Sequence, residues 1–163
     1  PSTVTDEIAA LSSKSVDAIW IYYAWTGVNM EVKNFDADYF AFSDIDPVFD
    51  FYTPIIIAQN KYLQENPETA KAFMNALSRG YQFAIENPEQ AADILCSEVP
   101  ELDSELVHES QKYLADKYQA DSEYWGKIEP ARWNGFYNWI NEKNLIQEKI
   151  PLDTAFTNEY LPK

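Results

Sequence analysis

Between Ala70 and Ala84 the apolar positions fall at Ala70, Phe73, Met74, Leu77, Tyr81 and Ala84. These steps of three and four predict a helix of roughly five turns with one apolar face. The letters ENPE mark its start and recur at the start of the next helix. Asn66 and Asn87 read as N-caps, Pro67 and Pro88 fall at N1 where a missing N–H costs nothing, and Glu68 and Glu89 set negative charge against the positive helix end. Just upstream, Ile55 to Ala58 is a short apolar run, which predicts a strand beneath the long helix.

The same reading extends along the chain. Asp6 to Ser12 predicts a short helix end, with Ile8 and Leu11 on one side. VDAIWIYY, ending at Tyr23, is rich in β-branched and aromatic residues and predicts a buried strand, with Trp20 in the core. The residues after it predict a strand-to-helix loop, and DYFAF, from Asp38 to Phe42, a weaker strand. The polar, proline-bearing SDIDPVF, from Ser43 to Phe49, predicts an inter-domain crossing. Further on, Asp103 caps a helix with Leu106, Val107, Leu114 and Tyr118 on its inner side. Pro130 opens another, in which Trp133, Phe136, Tyr137 and Ile140 share a face.

Composition narrows the class. The chain has 163 residues, 46% of them apolar and 15% aromatic, enough for a folded core and too apolar for disorder. A formal charge of −15 repels phosphate backbones and anionic lipid, which argues against nucleic acid as a partner. No apolar run approaches the roughly 20 residues of a membrane span, and Pro1 is not an initiator, so a leader or a longer N-terminal segment is expected upstream. The lone Cys96 excludes an internal disulfide and a CxxC motif. Three strands split by a crossing cannot complete two sheets. The expectation is the C-terminal part of a larger α/β protein, and exposed sheet edges would make self-association of this chain possible.

The succession DAIWIYYAWTG, the ENPE helix pair, WG, a W..F..W helix and a terminal AFTNEYLP resembles the NMT1/THI5-like family, on its thiamine-pyrimidine-precursor branch. That resemblance implies an extracytoplasmic, lipid-anchored substrate-binding protein of an ABC importer, delivering its ligand to a membrane permease. The fold it implies is the C-terminal portion of a two-lobed type II periplasmic-binding-protein fold, with three-layer α/β/α lobes and incomplete sheets here. Residues 1–42 would end lobe two, 43–50 would form the hinge crossing, and 51–163 would return to lobe one. A small heteroaromatic ligand, a thiamine pyrimidine precursor first among the candidates, would be captured by hinge closure, with no cofactor.

In such a fold the ligand lies beyond the carboxyl ends of the strands. Tyr22, Tyr23, Trp25 and Thr26 follow the first strand, and flat rings there suit a flat ligand. Along a strand Tyr22 and Tyr23 point opposite ways, so one of them belongs to the core. Tyr52, between Phe51 and Thr53, either closes over the ligand or packs beneath the crossing. Thr157 and Asn158 are expected to pin the tail.

Enzyme classes find little support. The one histidine, His108, falls off the apolar stripe of its helix and is expected to be solvated. Gly27, Gly80, Gly126 and Gly135 are too scattered for a phosphate-cradling loop. One enzymatic alternative is a pyrimidine synthase of the same superfamily, which uses pyridoxal phosphate and a cysteine-rich run where this chain has FDFYT. Receptors for a sulfonate or a flavin, and a helical interaction module without a ligand, complete the alternatives.

Overall fold

A computed structural model describes residues 6–162, and every regular element among them is helical. The elements are α1 (Glu7–Ser12), a π-turn (Tyr23–Gly27), α2 (Val28–Val32), α3 (Phe42–Ile45), a 3₁₀ turn (Pro47–Phe49), α4 (Asn60–Glu65), α5 (Pro67–Glu86), α6 (Pro88–Glu98), α7 (Ser104–Ala115) and α8 (Pro130–Glu142). Pro1–Thr5 and Lys163, the ends of the expected lobe-two and lobe-one segments, lie outside the described residues.

The expected three-layer α/β/α architecture is corrected by this: among the described residues there is no strand and no sheet. The first two strand candidates do run extended in part, with Tyr22 at φ −93°, ψ 114° and Ala41 at −85°, 141°, and Gln59, just after the third, is extended at −73°, 135°. A strand, however, exists only by pairing its backbone groups in a ladder, and none of these segments lies in one. Their β-branched and aromatic residues suit a half-buried pleated surface. Without that surface Trp20 is 70% and Ile57 84% exposed, so Trp20 is not core. Phe73 of α5, expected to lie on the sheet, is exposed as well.

The helix starts follow the sequence closely. Asp103 caps α7 by accepting from the N–H groups of Glu105 and Leu106, a bond worth about 1 kcal/mol. Asp6 caps α1 through the Ala9 N–H in the same way. Pro67, Pro88 and Pro130 each open their helix. The two asparagines before proline behave differently from the expected caps. Asn66 and Asn87 turn back and donate to the Tyr62 and Phe83 carbonyls, closing the preceding helix, because each joint leaves orphan carbonyls one residue before the next helix begins.

The chain forms two compact units. In the first, residues 6–38 and 81–120, α6 packs on α7, and α7 on α2 and the π-turn. Val28, Met30, Ala92, Leu106 and Val107 are buried there, each larger side chain contributing about 1.5–3 kcal/mol by burial. In the second, residues 39–80 and 121–162, α8 packs against the 3₁₀ turn, and Trp125 and Trp133 are buried. Gly126 turns at φ +85°, a left-handed backbone suited to glycine. Asn158 holds the tail: its amide accepts from the Ile128 N–H and donates to the Ile128 carbonyl, both at 2.9 Å.

Candidate functional site

In the first unit the π-turn sets four of the expected site residues. The Tyr22 carbonyl accepts from both Trp25 and Thr26, and the buried Ser110 hydroxyl of α7 donates to the Ala24 carbonyl, which anchors the widened turn. Such turns recur at functional sites. Tyr23 is held: its ring packs 5.3 Å from Tyr113 and its hydroxyl donates to the Glu31 carboxylate. Thr26 is buried. Tyr22 and Trp25 face outward, 65% and 42% exposed, with Tyr22 beside the Trp20 ring. Tyr22 and Tyr23 thus do have opposite surroundings, set by a turn rather than by strand alternation.

In the second unit Tyr52 lines a cavity of about 90 Å³. Phe51, Ile55, Trp133, Phe136 and Tyr137 complete its wall, all apolar or aromatic. Phe51 stacks on Phe136 with centroids 4.4 Å apart and planes at 27°. The Trp133 indole N–H donates to the Thr154 carbonyl. The Tyr52 hydroxyl accepts from the Glu129 N–H at 2.9 Å, which leaves its own proton free to donate. The Arg132 guanidinium lies 4.5 Å from the Tyr52 ring centre and is forked onto Asp50, Nε donating to the carbonyl at 2.7 Å and Nη2 to the carboxylate. Trp133, Phe136 and Tyr137 read in sequence as a helix's inner face, with nothing to separate a cavity wall from a core. Arg132 carried no sequence signal as a site residue.

His108 is not simply solvated. Its Nδ1 faces the Ser104 carbonyl at 2.7 Å and its Nε2 the Asp93 carboxylate at 3.0 Å, with Glu89 at 3.7 Å. Both ring nitrogens meet acceptors, so the doubly protonated ring satisfies them best. The Ser104 carbonyl first, then Asp93, raises its pKa from 6.5. Lys112 joins the cluster through Glu89 and Glu109. Among the described residues no group of His, Cys, Asp or Glu side chains is placed to hold a metal ion, and no helix is long and apolar enough to cross a membrane.

The apolar, aromatic wall beside a polar handle has the chemistry of a small-molecule site, while its volume of about 90 Å³ is well below the roughly 300–1,000 Å³ of a whole one. The sequence comparisons bear on the class of ligand. The profile of the NMT1/THI5-like family matches residues 1–91, more than half of the chain. The chain belongs to that family. It is similar to the formylaminopyrimidine-binding protein of Halalkalibacterium halodurans, 24% identical over 92% of this chain and 47% of that protein. It is also similar to the riboflavin-binding protein RibY of Chloroflexus aurantiacus, 24% identical over 71% of this chain and 34% of the relative. A 4-amino-5-hydroxymethyl-2-methylpyrimidine phosphate synthase of Legionella pneumophila is 26% identical over 60% of this chain and 30% of its own length. The chain spans about half the length of the first of these relatives and about a third of the others.

Proposed function

We propose that the protein is the solute-binding component of an ABC importer that captures a small heteroaromatic molecule, with a thiamine pyrimidine precursor as its ligand. The observation that carries this reading is the aromatic-walled cavity at Tyr52, in a family with binding proteins for a formylaminopyrimidine and for riboflavin. Stacking and apolar burial supply affinity there, and the Tyr52 hydroxyl proton fixes orientation. A cavity of about 90 Å³ is below the roughly 150 Å³ that holds benzene, so it takes the edge of one ring.

On this reading the ligand is captured outside the cytoplasm by a lipid-anchored protein and passed to a membrane permease. Residues 43–50 serve as the hinge whose closure the ligand stabilises. Thermal denaturation of the full-length protein with formylaminopyrimidine, riboflavin and taurine tests the proposal. The pyrimidine should raise the midpoint by several degrees, and no response to any of the three would refute ligand capture. The synthase reading rests on the Legionella relative alone, and an absorbance band from bound pyridoxal phosphate would favour it.

A further inference from the structure

Residues 50–52 are each fastened to the start of α8, from its N-cap Glu129 to Phe136. Asp50 takes both arms of the Arg132 fork, Phe51 stacks on Phe136, and Tyr52 receives the Glu129 N–H while Arg132 covers one face of its ring. The Arg132 side chain is 37% exposed and that of Asp50 60%. An ion pair so wet adds little to stability. Its geometry is nonetheless specific: the guanidinium is held by two bonds to one residue and lies over the neighbouring ring, 4.5 Å from its centre. A lysine, as a point charge on a flexible stem, cannot make both bonds and stack at once.

We propose that Arg132 is a positioning residue for ligand binding. Clamped by Asp50, it fixes the plane of the Tyr52 ring so that the opposite side of that ring and its hydroxyl proton are presented to the cavity. This rests on the solute-binding reading above. The ligand class is an uncharged or weakly basic flat ring with an acceptor at its edge, for the free Tyr52 proton. Arg132 Nε and one Nη2 donor are taken up by Asp50, so its role toward the ligand runs through the Tyr52 ring.

A double-mutant cycle on the full-length protein, titrated calorimetrically with formylaminopyrimidine, tests this. Arg132→Lys should weaken binding about tenfold while leaving the thermal midpoint of the free protein within about 2 °C. Asp50→Ala, which removes the carboxylate arm of the fork and leaves the cation and the backbone carbonyl bond in place, should weaken binding in the same direction. In a Tyr52→Leu background Arg132→Lys should cost nothing further, since the ring it positions is gone. Equal losses in both backgrounds, or unchanged affinity in Arg132→Lys, would overturn the positioning role and leave the receptor reading intact. Absence of binding by the unaltered protein to both the pyrimidine and riboflavin would remove the reading and this role together.

Discussion

The ring of Tyr23 occupies the space that a side chain on Gly27 would need: a Cβ at Gly27 would lie 2.5 Å from Tyr23 Cδ2 and under 3 Å from two more ring carbons. The ring cannot easily yield, because Tyr113 flanks it and Glu31 holds its hydroxyl. Gly27→Ala should therefore cost about 1–3 kcal/mol as overpacking, read from the urea midpoint. Adding Tyr23→Leu should recover part of the loss. A stable Gly27→Ala protein would mean that the π-turn is not packed as described.

His108 gives the first unit a pH dependence of known sign. Its pKa is raised above 6.5 in the folded state, first by the Ser104 carbonyl and then by the Asp93 carboxylate, with Glu89 adding attraction. A raised folded-state pKa contributes stability that is fully present below 6.5 and is lost as the pH climbs through the higher folded value. As the pH rises above 6.5, the denaturation midpoint of the wild type should fall more steeply than that of His108→Gln. Identical slopes would show that the cluster is energetically silent.

Asn158 ties the tail through a single residue, accepting from and donating to Ile128. Asn158→Ala removes both bonds and leaves two part-buried backbone groups without that partner, at about 1–3 kcal/mol. Hydrogen exchange at the Ile128 amide should accelerate, and Asn158→Asp, which keeps the acceptor, should restore much of its protection. Unaltered exchange in the alanine variant would remove the anchoring role.

Trp25, partly exposed beside the π-turn, is a proposed ligand contact. Trp25→Ala should weaken ligand binding by roughly 1–3 kcal/mol with little change in the melting temperature of the free protein. A large drop in melting temperature would instead assign the ring to packing.

Local chemistry was legible in the sequence where it acts over one turn. Asp103 caps α7, Pro130 opens α8, and Asn158 pins the tail as expected. Several stops were harder to read. Helices α1, α2 and α8 are each followed by a left-handed residue, Lys14, Asn34 and Asn144, with the paired backbone bonds that close such ends. The two asparagines carry that signal and Lys14 does not. The strands failed for a different reason. β-Propensity describes a fit to neighbours, and VDAIWIYY and Ile55 to Ala58 announce that fit in composition while the described residues pair no strand beside them. Tyr52 was visible as an aromatic at a chain crossing. Its cavity was not, because Arg132, Trp133, Phe136 and Tyr137 meet it across some eighty positions of sequence.

Calorimetric titration of the full-length protein with formylaminopyrimidine, beside a Tyr52→Leu variant, tests the central claim most directly. Saturable binding of one ligand per chain, lowered about tenfold or more by Tyr52→Leu, is the predicted result. No heat from the wild type, or equal affinity in the two proteins, would contradict it.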